Sequence, residues 1–401
     1  MLRLLFCFLV FQIAGCAWLT DVTNLGENNE ALKPRPLETL KKEVEIDRLW
    51  KTKIGQSKSG SMSMLVPQFS SGSIYVASPD GTVKALKASN GRELWAVNVS
   101  KFYQGTDYGA AFGKNVDLLT GGVGLGEGLA MIGTVAGEIL ALNQEDGVLI
   151  WRAKASSEVL SPPQVKGDLA IAHTIDGKVV AYNAVNGERR WTYSTTLPPL
   201  SLRGTATPLL TSQYVIAAFA NGRLAVLDRE SGLPGFDQRI GISKGRNDLD
   251  RLVDIDGNMI LLGQRLYVVG YQSRLIAVNL NTLSVEWANE SSSVVGLGEG
   301  FGNVYVGHAD GVIGAYDAVT GKIVWEVDAL TNRAISAPVT SSSYLVVGDF
   351  QGYLHVIAQS DGRFVGRRKI DSSGLSVAPV SDGNRIYLLA NNGILSAYEI
   401  H

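Results

Sequence analysis

The feature that most constrains how this chain folds is an internal repeat that returns every 38 to 56 residues. Each copy has an apolar strand, a two-residue turn, an alternating strand, a second turn with glycine and a strand that carries Trp; residues 73–95 are the clearest copy. A repeat of about 40–45 residues with four strands in each unit is the signature of a β-propeller. The sequence therefore predicts an all-β propeller with one repeat in each blade.

The first turn of the repeat recurs eight times. Its second residues are Gly81, Gly137, Gly177, Gly222, Ser273, Gly311, Gly352 and Gly393. Asp-Gly and related dipeptides between β-branched runs indicate tight hairpins, and we expect type I′ turns, which need positive φ at both central residues. Eight turns predict eight blades, each a sheet of four antiparallel strands.

The last unit of the repeat is one strand short. Residues 384–400 supply an apolar strand, the Asn392-Gly393 turn and a third strand, and no Trp-bearing strand follows before His401. Residues 43–50 have the missing alternation and carry Trp50. Pairing this N-terminal strand with the C-terminal three closes the ring and removes long open sheet edges. We therefore predict an eight-bladed propeller in which both ends of the chain meet.

Tryptophan recurs in phase with the repeat. Six of the seven tryptophans lie on predicted outer strands, which favours packing between neighbouring blades over ligand binding. Three blades depart from this pattern. Phe236 in blade 4 and Gly366 in blade 7 stand at the tryptophan position, and Thr282-Leu283 replaces the second-turn glycine of blade 5. The glycine-rich stretches 121–126 and 296–300 are predicted to be inner strands near the ring axis, where glycine permits close backbone approach.

The N-terminus resembles a bacterial lipoprotein signal. The apolar run Leu4–Ile13 is shorter than the about 20 residues that cross a bilayer. It leads into Ala-Gly-Cys ending at Cys16, which resembles a lipobox and implies that Cys16 becomes the lipidated N-terminus; the alternative is an ordinary signal peptide with an incidental cysteine. The predicted domains are a signal peptide (1–15), a lipidated cysteine with a flexible tether (16–42) and the propeller (43–401).

The residue after the lipobox cysteine indicates a compartment. In enteric-type lipoprotein sorting an aspartate at this position favours retention in the inner membrane, and here the residue is Ala17. The resemblance to lipoproteins implies several acyl chains, which anchor a protein more firmly than one. We therefore expect lipid anchoring at the periplasmic face of the outer membrane of a Gram-negative bacterium.

Composition and motifs argue against several function classes. The formal net charge is −2, whereas nucleic-acid binding needs a basic excess on some face. The four histidines are spread over the chain without metal-ligand spacing, and Cys16 is the only cysteine outside the predicted signal peptide. No Gly-x-Ser-x-Gly motif is present, and no acid–base pair can be nominated. We predict no catalytic residue, no cofactor and no metal.

The repeat itself resembles a known type. Residues 181–191 and 315–325 follow the pattern Ala-Tyr-Asp/Asn-x-x-x-Gly-x-x-x-Trp, which resembles the PQQ-type repeat of quinoprotein alcohol dehydrogenases. Those enzymes are considerably longer, and many use an adjacent-cysteine disulfide that this chain lacks. A PQQ-dependent dehydrogenase is therefore kept as an alternative function.

The lipobox, the short tether and the eight repeats together resemble the BamB family, the propeller lipoproteins of the outer-membrane β-barrel assembly (BAM) machinery. The likeness covers essentially the whole chain. Residues 200–204 and 250–256 match segments that in this family meet the POTRA domains of BamA. By this resemblance the expected protein-interface residues are Leu200, Leu202, Arg203, Asp254 and Asp256.

The residues alone leave other interpretations open. Leu200 and Leu202 could fill a gap between blades, and the two aspartates could cap turns. The resemblance implies a non-enzymatic scaffold, monomeric within the complex, that binds BamA and through it the rest of the BAM machinery, with nascent outer-membrane proteins as a further candidate partner. A lipoprotein scaffold for another envelope component, such as a polysaccharide, is the remaining alternative. No site follows from the aromatic insertion at 100–120.

Overall fold

The computed structural model describes residues 33–55, 65–103, 117–198, 200, 204–241 and 253–401. They form eight four-stranded antiparallel sheets, and in seven of these the four strands follow one another in sequence. The predicted eight-bladed propeller is confirmed. The signal peptide, Cys16 and the first part of the predicted tether lie outside the described residues.

The strands are given from the axis outwards, blade by blade. Blade 1 contains β2 (Gln68–Ser70), β3 (Ser73–Ala77), β4 (Thr82–Lys87) and β5 (Glu93–Asn98), followed by a short 3-10 helix at Val99–Phe102. Blades 2 and 3 contain β6 (Leu119–Gly126), β7 (Leu129–Thr134), β8 (Glu138–Asn143), β9 (Leu149–Lys154), β10 (Gln164–Lys166), β11 (Leu169–Thr174), β12 (Lys178–Asn183) and β13 (Arg189–Ser194). Blades 4 and 5 contain β14 (Leu209–Leu210), β15 (Tyr214–Ala218), β16 (Arg223–Asp228), β17 (Pro234–Arg239), β18 (Ile260–Leu262), β19 (Arg265–Val269), β20 (Ser273–Asn279) and β21 (Ser284–Ser291). Blades 6 and 7 contain β22 (Leu297–Gly300), β23 (Asn303–Gly307), β24 (Ile313–Asp317), β25 (Ile323–Val327), β26 (Val339–Ser341), β27 (Tyr344–Gly348), β28 (Tyr353–Ala358) and β29 (Phe364–Lys369). Blade 8 contains β30 (Val380–Asp382), β31 (Arg385–Leu389), β32 (Ile394–Ile400) and, as its outer strand, β1 (Ile46–Lys53).

The eighth blade closes the ring as expected. β1 pairs antiparallel with β32 from Ile46 opposite Ile400 to Lys53 opposite Ile394, with a bulge between Arg48 and Trp50. Ile46 is buried in the cluster that joins blades 7 and 8, whereas Trp50 packs against the cluster that joins blades 8 and 1. The N-terminal strand therefore connects the last blade to both of its neighbours.

The first turns differ in type from the prediction. In blade 1 the Gly81 amide donates to the Ser78 carbonyl at 3.0 Å, and Gly81 has φ of +96° while Asp80 does not take positive φ. Asp80 instead accepts a hydrogen bond from the Thr82 amide at 3.0 Å. This is a type I turn followed by a left-handed glycine, a three-residue hairpin loop. The type I′ expectation was wrong because this loop needs the left-handed conformation at the glycine alone; Gly137 of blade 2, which follows Ala136, donates to the Thr134 carbonyl at 3.0 Å in the same way.

Neighbouring blades are joined by a recurrent tryptophan contact. Trp151 covers Gly187 of the next blade so closely that an added Cβ would lie 2.6 Å from its ring, and its Nε1 donates to the Ala184 carbonyl at 2.8 Å. The predicted packing of tryptophan between blades is confirmed. The pairs are Trp50/Gly91, Trp95/Gly147, Trp151/Gly187, Trp191/Gly232, Trp287/Gly321 and Trp325/Gly362.

The glycine-rich stretches are inner strands, as expected. A Cβ added to Gly124 on β6 would lie 1.6 Å from the Pro163 carbonyl oxygen, and one on Gly298 on β22 would lie 2.5 Å from that of Pro338. Only glycine allows backbones to approach this closely near the axis.

Residues 33–45, here named the N-terminal strap, lie against blade 7 before β1 begins. The Arg35 amide donates to the Thr331 carbonyl at 3.0 Å, and the Glu43 amide donates to the Val365 carbonyl at 2.8 Å. Between them, the Glu38 carbonyl accepts from Arg367 at 2.9 Å. The last ten residues of the predicted tether are therefore in contact with the propeller.

Candidate protein-binding face

Two connections that contain the expected interface residues flank blade 4. Both lead from the outer strand of one blade to the inner strand of the next, β13 to β14 and β17 to β18. In an antiparallel blade these connections and the first turns lie on one face, here named the upper face, and the second turns lie on the lower face. Leu200 is 44% exposed on the upper face. Leu202 and Arg203 lie outside the described residues.

Both connections are fixed to the same hydrophobic cluster. Ala206 and Ile255 are fully buried within it, beside the core residues of blades 4 and 5. The Ala206 carbonyl also receives a hydrogen bond from the Nδ1 of buried His173, with 3.1 Å between the atoms. These contacts hold the two loops on one side of the molecule, although they are about 50 residues apart in sequence.

The structure brings the two sequence motifs together. Gly204, the last residue of the first motif, lies against the carboxyl group of Asp256 in the second. An added Cβ on Gly204 would lie 2.5 Å from the Asp256 Cγ, so the close approach requires glycine. Leu200, Gly204 and Asp256 therefore belong to one region of the upper face.

Asp254 and Asp256 form a carboxyl pair. Asp254 is only 1% exposed, and its carbonyl accepts from the Tyr271 amide at 2.7 Å. Burial, followed by the negative charge of Asp254 and a hydrogen bond to it, raises the pKa of Asp256 well above its ordinary value. At neutral pH the pair therefore shares a proton. Because Asp254 is buried, its side chain offers almost no surface to a partner.

A shallow cleft opens beside this region, between blades 3 and 4. Thr174, Leu197, Gly204 and Thr205 line it together with His173. Burial lowers the pKa of His173 to about 4, so the imidazole is neutral at physiological pH and donates to Ala206. The cleft is thus formed by uncharged groups next to the carboxyl pair.

A second buried polar group lies on blade 7 and was not found from the sequence. Arg333 contacts the Asp349 carboxylate at 2.7 Å, and His355 Nε2 lies 3.0 Å from the same carboxylate. All three side chains are buried, and Arg333 also donates to the Arg35 carbonyl of the strap at 3.1 Å. The group supports the strap. In the part of the chain that the structure describes, no three His, Cys, Asp or Glu side chains are placed to hold a metal ion.

Comparisons with known proteins agree over the whole chain. A family model described as "Outer membrane protein assembly factor BamB" matches residues 79–308 and 309–401. The protein of that name from Pseudomonas aeruginosa is 38% identical over 392 residues, which cover 98% of this chain and 97% of the relative. The one from Escherichia coli K12 is 31% identical over 384 residues, with 96% and 95% covered.

Solved structures give the same picture. The crystal structure of BamB from Moraxella catarrhalis matches with a TM-score of 0.77 at 26% identity, covering 88% of this chain and 100% of that one. The quinohemoprotein alcohol dehydrogenase from Comamonas testosteroni matches with a TM-score of 0.69 at 13% identity, covering 88% of this chain and 76% of the enzyme. The likeness to the enzyme shows the fold alone.

Proposed function

The chain belongs to the BamB family of outer membrane protein assembly factors, and from that premise we propose that its upper face binds the POTRA domains of BamA. Family membership makes it an outer membrane protein assembly factor and a component of the BAM machinery. The observation that carries the proposal is the contact of Gly204 with Asp256, which joins the two loop motifs into one surface.

The residues of this surface have different roles in the proposal. Leu200 is exposed and adjoins the motif that contains Leu202 and Arg203, so these three supply the contacts with BamA. An apolar anchor beside an arginine is a common composition for an interface hot spot. Asp256 lies against Gly204 and pairs with the buried Asp254, and in the proposal the two aspartates hold the loops in the binding conformation.

Membrane attachment is the second part of the proposal. Cys16 carries the lipid anchor, which holds the propeller at the periplasmic face of the outer membrane. Cells grown with radiolabelled palmitate should label the wild-type protein, whereas Cys16→Ser should remain unlabelled and appear in the soluble periplasmic fraction. Label retained by the Cys16→Ser protein would show that Cys16 is not the lipidated residue.

The proposed role is that of a scaffold without catalysis. Its support is the assembly-factor relatives, together with a sequence in which the paired cysteines of many quinoproteins are missing. The purified chain incubated with PQQ and calcium should give no dye-linked alcohol oxidation. Turnover above that of the free quinone would favour the dehydrogenase alternative.

The docking experiment measures capture of the purified chain by immobilised BamA POTRA domains. Leu200→Asp and Arg203→Glu should each reduce capture by about tenfold or more, because truncating a hot spot costs at least about 2 kcal/mol. The matched controls are Leu233→Asp, which changes a 68% exposed leucine on the lower face, and Arg189→Glu, which changes an exposed arginine on the outer strand of blade 3.

The controls decide between a local and a general effect. Both control variants should be captured like the wild type, and all four variants should melt close to it, since surface substitutions alter stability by less than about 0.5 kcal/mol. Equal capture of the Leu200 and Leu233 variants would overturn the proposal that the upper face is the docking surface.

A further inference from the structure

The outer strands of the propeller are unequally charged around the ring. The outer strands of blades 7 and 8, β29 and β1, together carry six basic residues and one acidic residue, Asp47. The outer strands of blades 5 and 6, β21 and β25, carry three glutamates and no basic residue, and those of blades 2 and 3, β9 and β13, carry four basic residues and no acidic one. The basic residues are Arg367, Arg368, Lys369, Arg48, Lys51 and Lys53. These six are named the basic rim.

One arginine of the basic rim links blades 7 and 8. Arg368 reaches from blade 7 to blade 8, where it donates to the Ile46 carbonyl and lies 5.5 Å from the centre of the Tyr398 ring. Its side chain remains 40% exposed, with the Asp47 carboxylate 3.9 Å away. Lys51 and Lys53 are exposed, and no ion pair to either is found among the described residues.

The chain reaches the propeller beside the basic rim. The strap runs along β29, and Arg367 of the rim donates to its Glu38 carbonyl. Lys41 in the strap is exposed and adds to the positive charge, while Lys42 pairs with Glu45. The first described residue of the strap, Lys33, accepts a hydrogen bond from the Asn332 side chain at 3.2 Å, so the strap meets the ring at the connection between blades 6 and 7.

We propose that the basic rim binds the anionic headgroups of the bilayer in which the lipid anchor sits. This rests on the anchoring part of the proposed function. Sixteen residues separate Cys16 from Lys33, and a chain of that length spans at most about 60 Å, which limits the distance between the anchor and the propeller. Basic side chains near an anionic bilayer are attracted to it within about one Debye length, roughly 10 Å. The rim turns the outer strands of blades 7 and 8 towards the membrane.

The experiment uses the full mature chain with Cys16→Ser, so that no acyl chain contributes to binding. It is sedimented with vesicles made of equal parts phosphatidylcholine and phosphatidylglycerol, and with vesicles of phosphatidylcholine alone. Binding is expected only to the anionic vesicles, and high salt should abolish it because exposed charges are screened. Lys51→Glu/Lys53→Glu should lower the bound fraction by about tenfold or more, since each basic residue contributes separately to attraction.

A double variant with the same charge change serves as control. Lys166→Glu/Arg189→Glu alters two exposed basic residues of blade 3, across the ring from blade 7. It should bind anionic vesicles like the unchanged chain. Absence of binding, equal binding to both kinds of vesicle, or equal losses in the rim and control variants would each overturn the proposal. Capture by POTRA domains, measured on the same proteins, reports separately on the docking function.

Discussion

At the scale of single residues, the propeller is joined by a tryptophan on one blade and a glycine on the next. Where a blade lacks this tryptophan, the residue that the tryptophan would contact also differs from the repeat. Blade 4 has Phe236 in place of the tryptophan, and the second turn of blade 5 has Leu283 in place of the glycine. Leu283 packs against the hydrophobic cluster that contains Phe236. Blade 7 has Gly366, where an added Cβ would lie 2.6 Å from Val44 of the strap. Blades 4 and 5 thus depart from the repeat on both sides of one boundary, whereas blade 7 meets the strap where the other blades meet a second turn.

The first prediction concerns the glycine of such a pair. Gly187→Ala should lower the free energy of unfolding by about 2–4 kcal/mol, since the new Cβ meets the Trp151 ring and alanine must adopt a left-handed conformation. Gly128→Ala is the control, because Gly128 has φ of +73° against +74° for Gly187 but nothing within 4 Å of an added Cβ. Gly128→Ala should lower the free energy of unfolding only by the cost of placing alanine in the left-handed conformation, about 1 kcal/mol. Denaturant unfolding measures both, and equal losses would contradict the packing role.

The second prediction follows from the buried His173. Burial lowers its pKa in the folded chain from 6.5 to about 4, so the neutral imidazole contributes its full stability above about pH 6.5. As the pH falls from 6.5 to 4, the unfolded chain takes up a proton that the folded chain does not. The free energy of unfolding should then decrease by about 3 kcal/mol.

The control for His173 is a side chain that does not titrate. His173→Gln retains a donor for the Ala206 carbonyl, so its free energy of unfolding should change less over the same pH range. Urea unfolding at several pH values between 4 and 7 gives the difference between the two proteins. A constant difference would show that the pKa of His173 is the same in the folded and the unfolded chain.

At the scale of elements, the matched departures of blades 4 and 5 can be tested by restoring the regular pair. Phe236→Trp alone should destabilise the chain by about 1–3 kcal/mol, because the larger ring meets Leu283. Adding Leu283→Gly should recover most of this loss, since Leu283 has φ of +51° and glycine adopts that conformation without strain. A double-mutant cycle should give a coupling energy of about 0.5–3 kcal/mol; additive effects would mean that the two positions are independent.

Strands and hairpins could be predicted from the sequence where the residues that specify them are neighbours in the chain. Alternation, turn glycines and in-phase tryptophans identified the blades, including the eighth, because a hairpin is specified by residues that adjoin in sequence. The contact of Gly204 with Asp256 was not predictable, since it joins two irregular loops. The same holds for Arg333, Asp349 and His355, which three different segments bring together. The type of the first turn was missed because the dipeptide pattern does not distinguish a two-residue loop from a three-residue loop that needs positive φ at the glycine alone.

At the scale of the whole molecule, stability depends on a strand from the opposite end of the chain. β1 places buried Ile46 between blades 7 and 8 and seats Trp50 on Gly91 of blade 1, with the Trp50 Nε1 donating to the Ala88 carbonyl at 2.9 Å. Burial of a large apolar side chain stabilises a fold by about 1.5–3 kcal/mol. Without β1, two blade interfaces lose their outer contacts and β32 becomes an open sheet edge.

The last prediction removes this strand and returns it as a separate peptide. A chain of residues 43–401 should unfold cooperatively, whereas one of residues 54–401 should melt at a clearly lower temperature, because the ring is no longer closed. A synthetic peptide of residues 43–54 should raise the melting temperature of the shorter chain in proportion to the logarithm of its concentration, as binding to the folded state requires. The same peptide with Ile46→Ala and Trp50→Ala should have little effect, since it lacks the two side chains that seat the strand. If residues 54–401 melt like residues 43–401, the ring is held by its other seven blades and β1 is dispensable for closure.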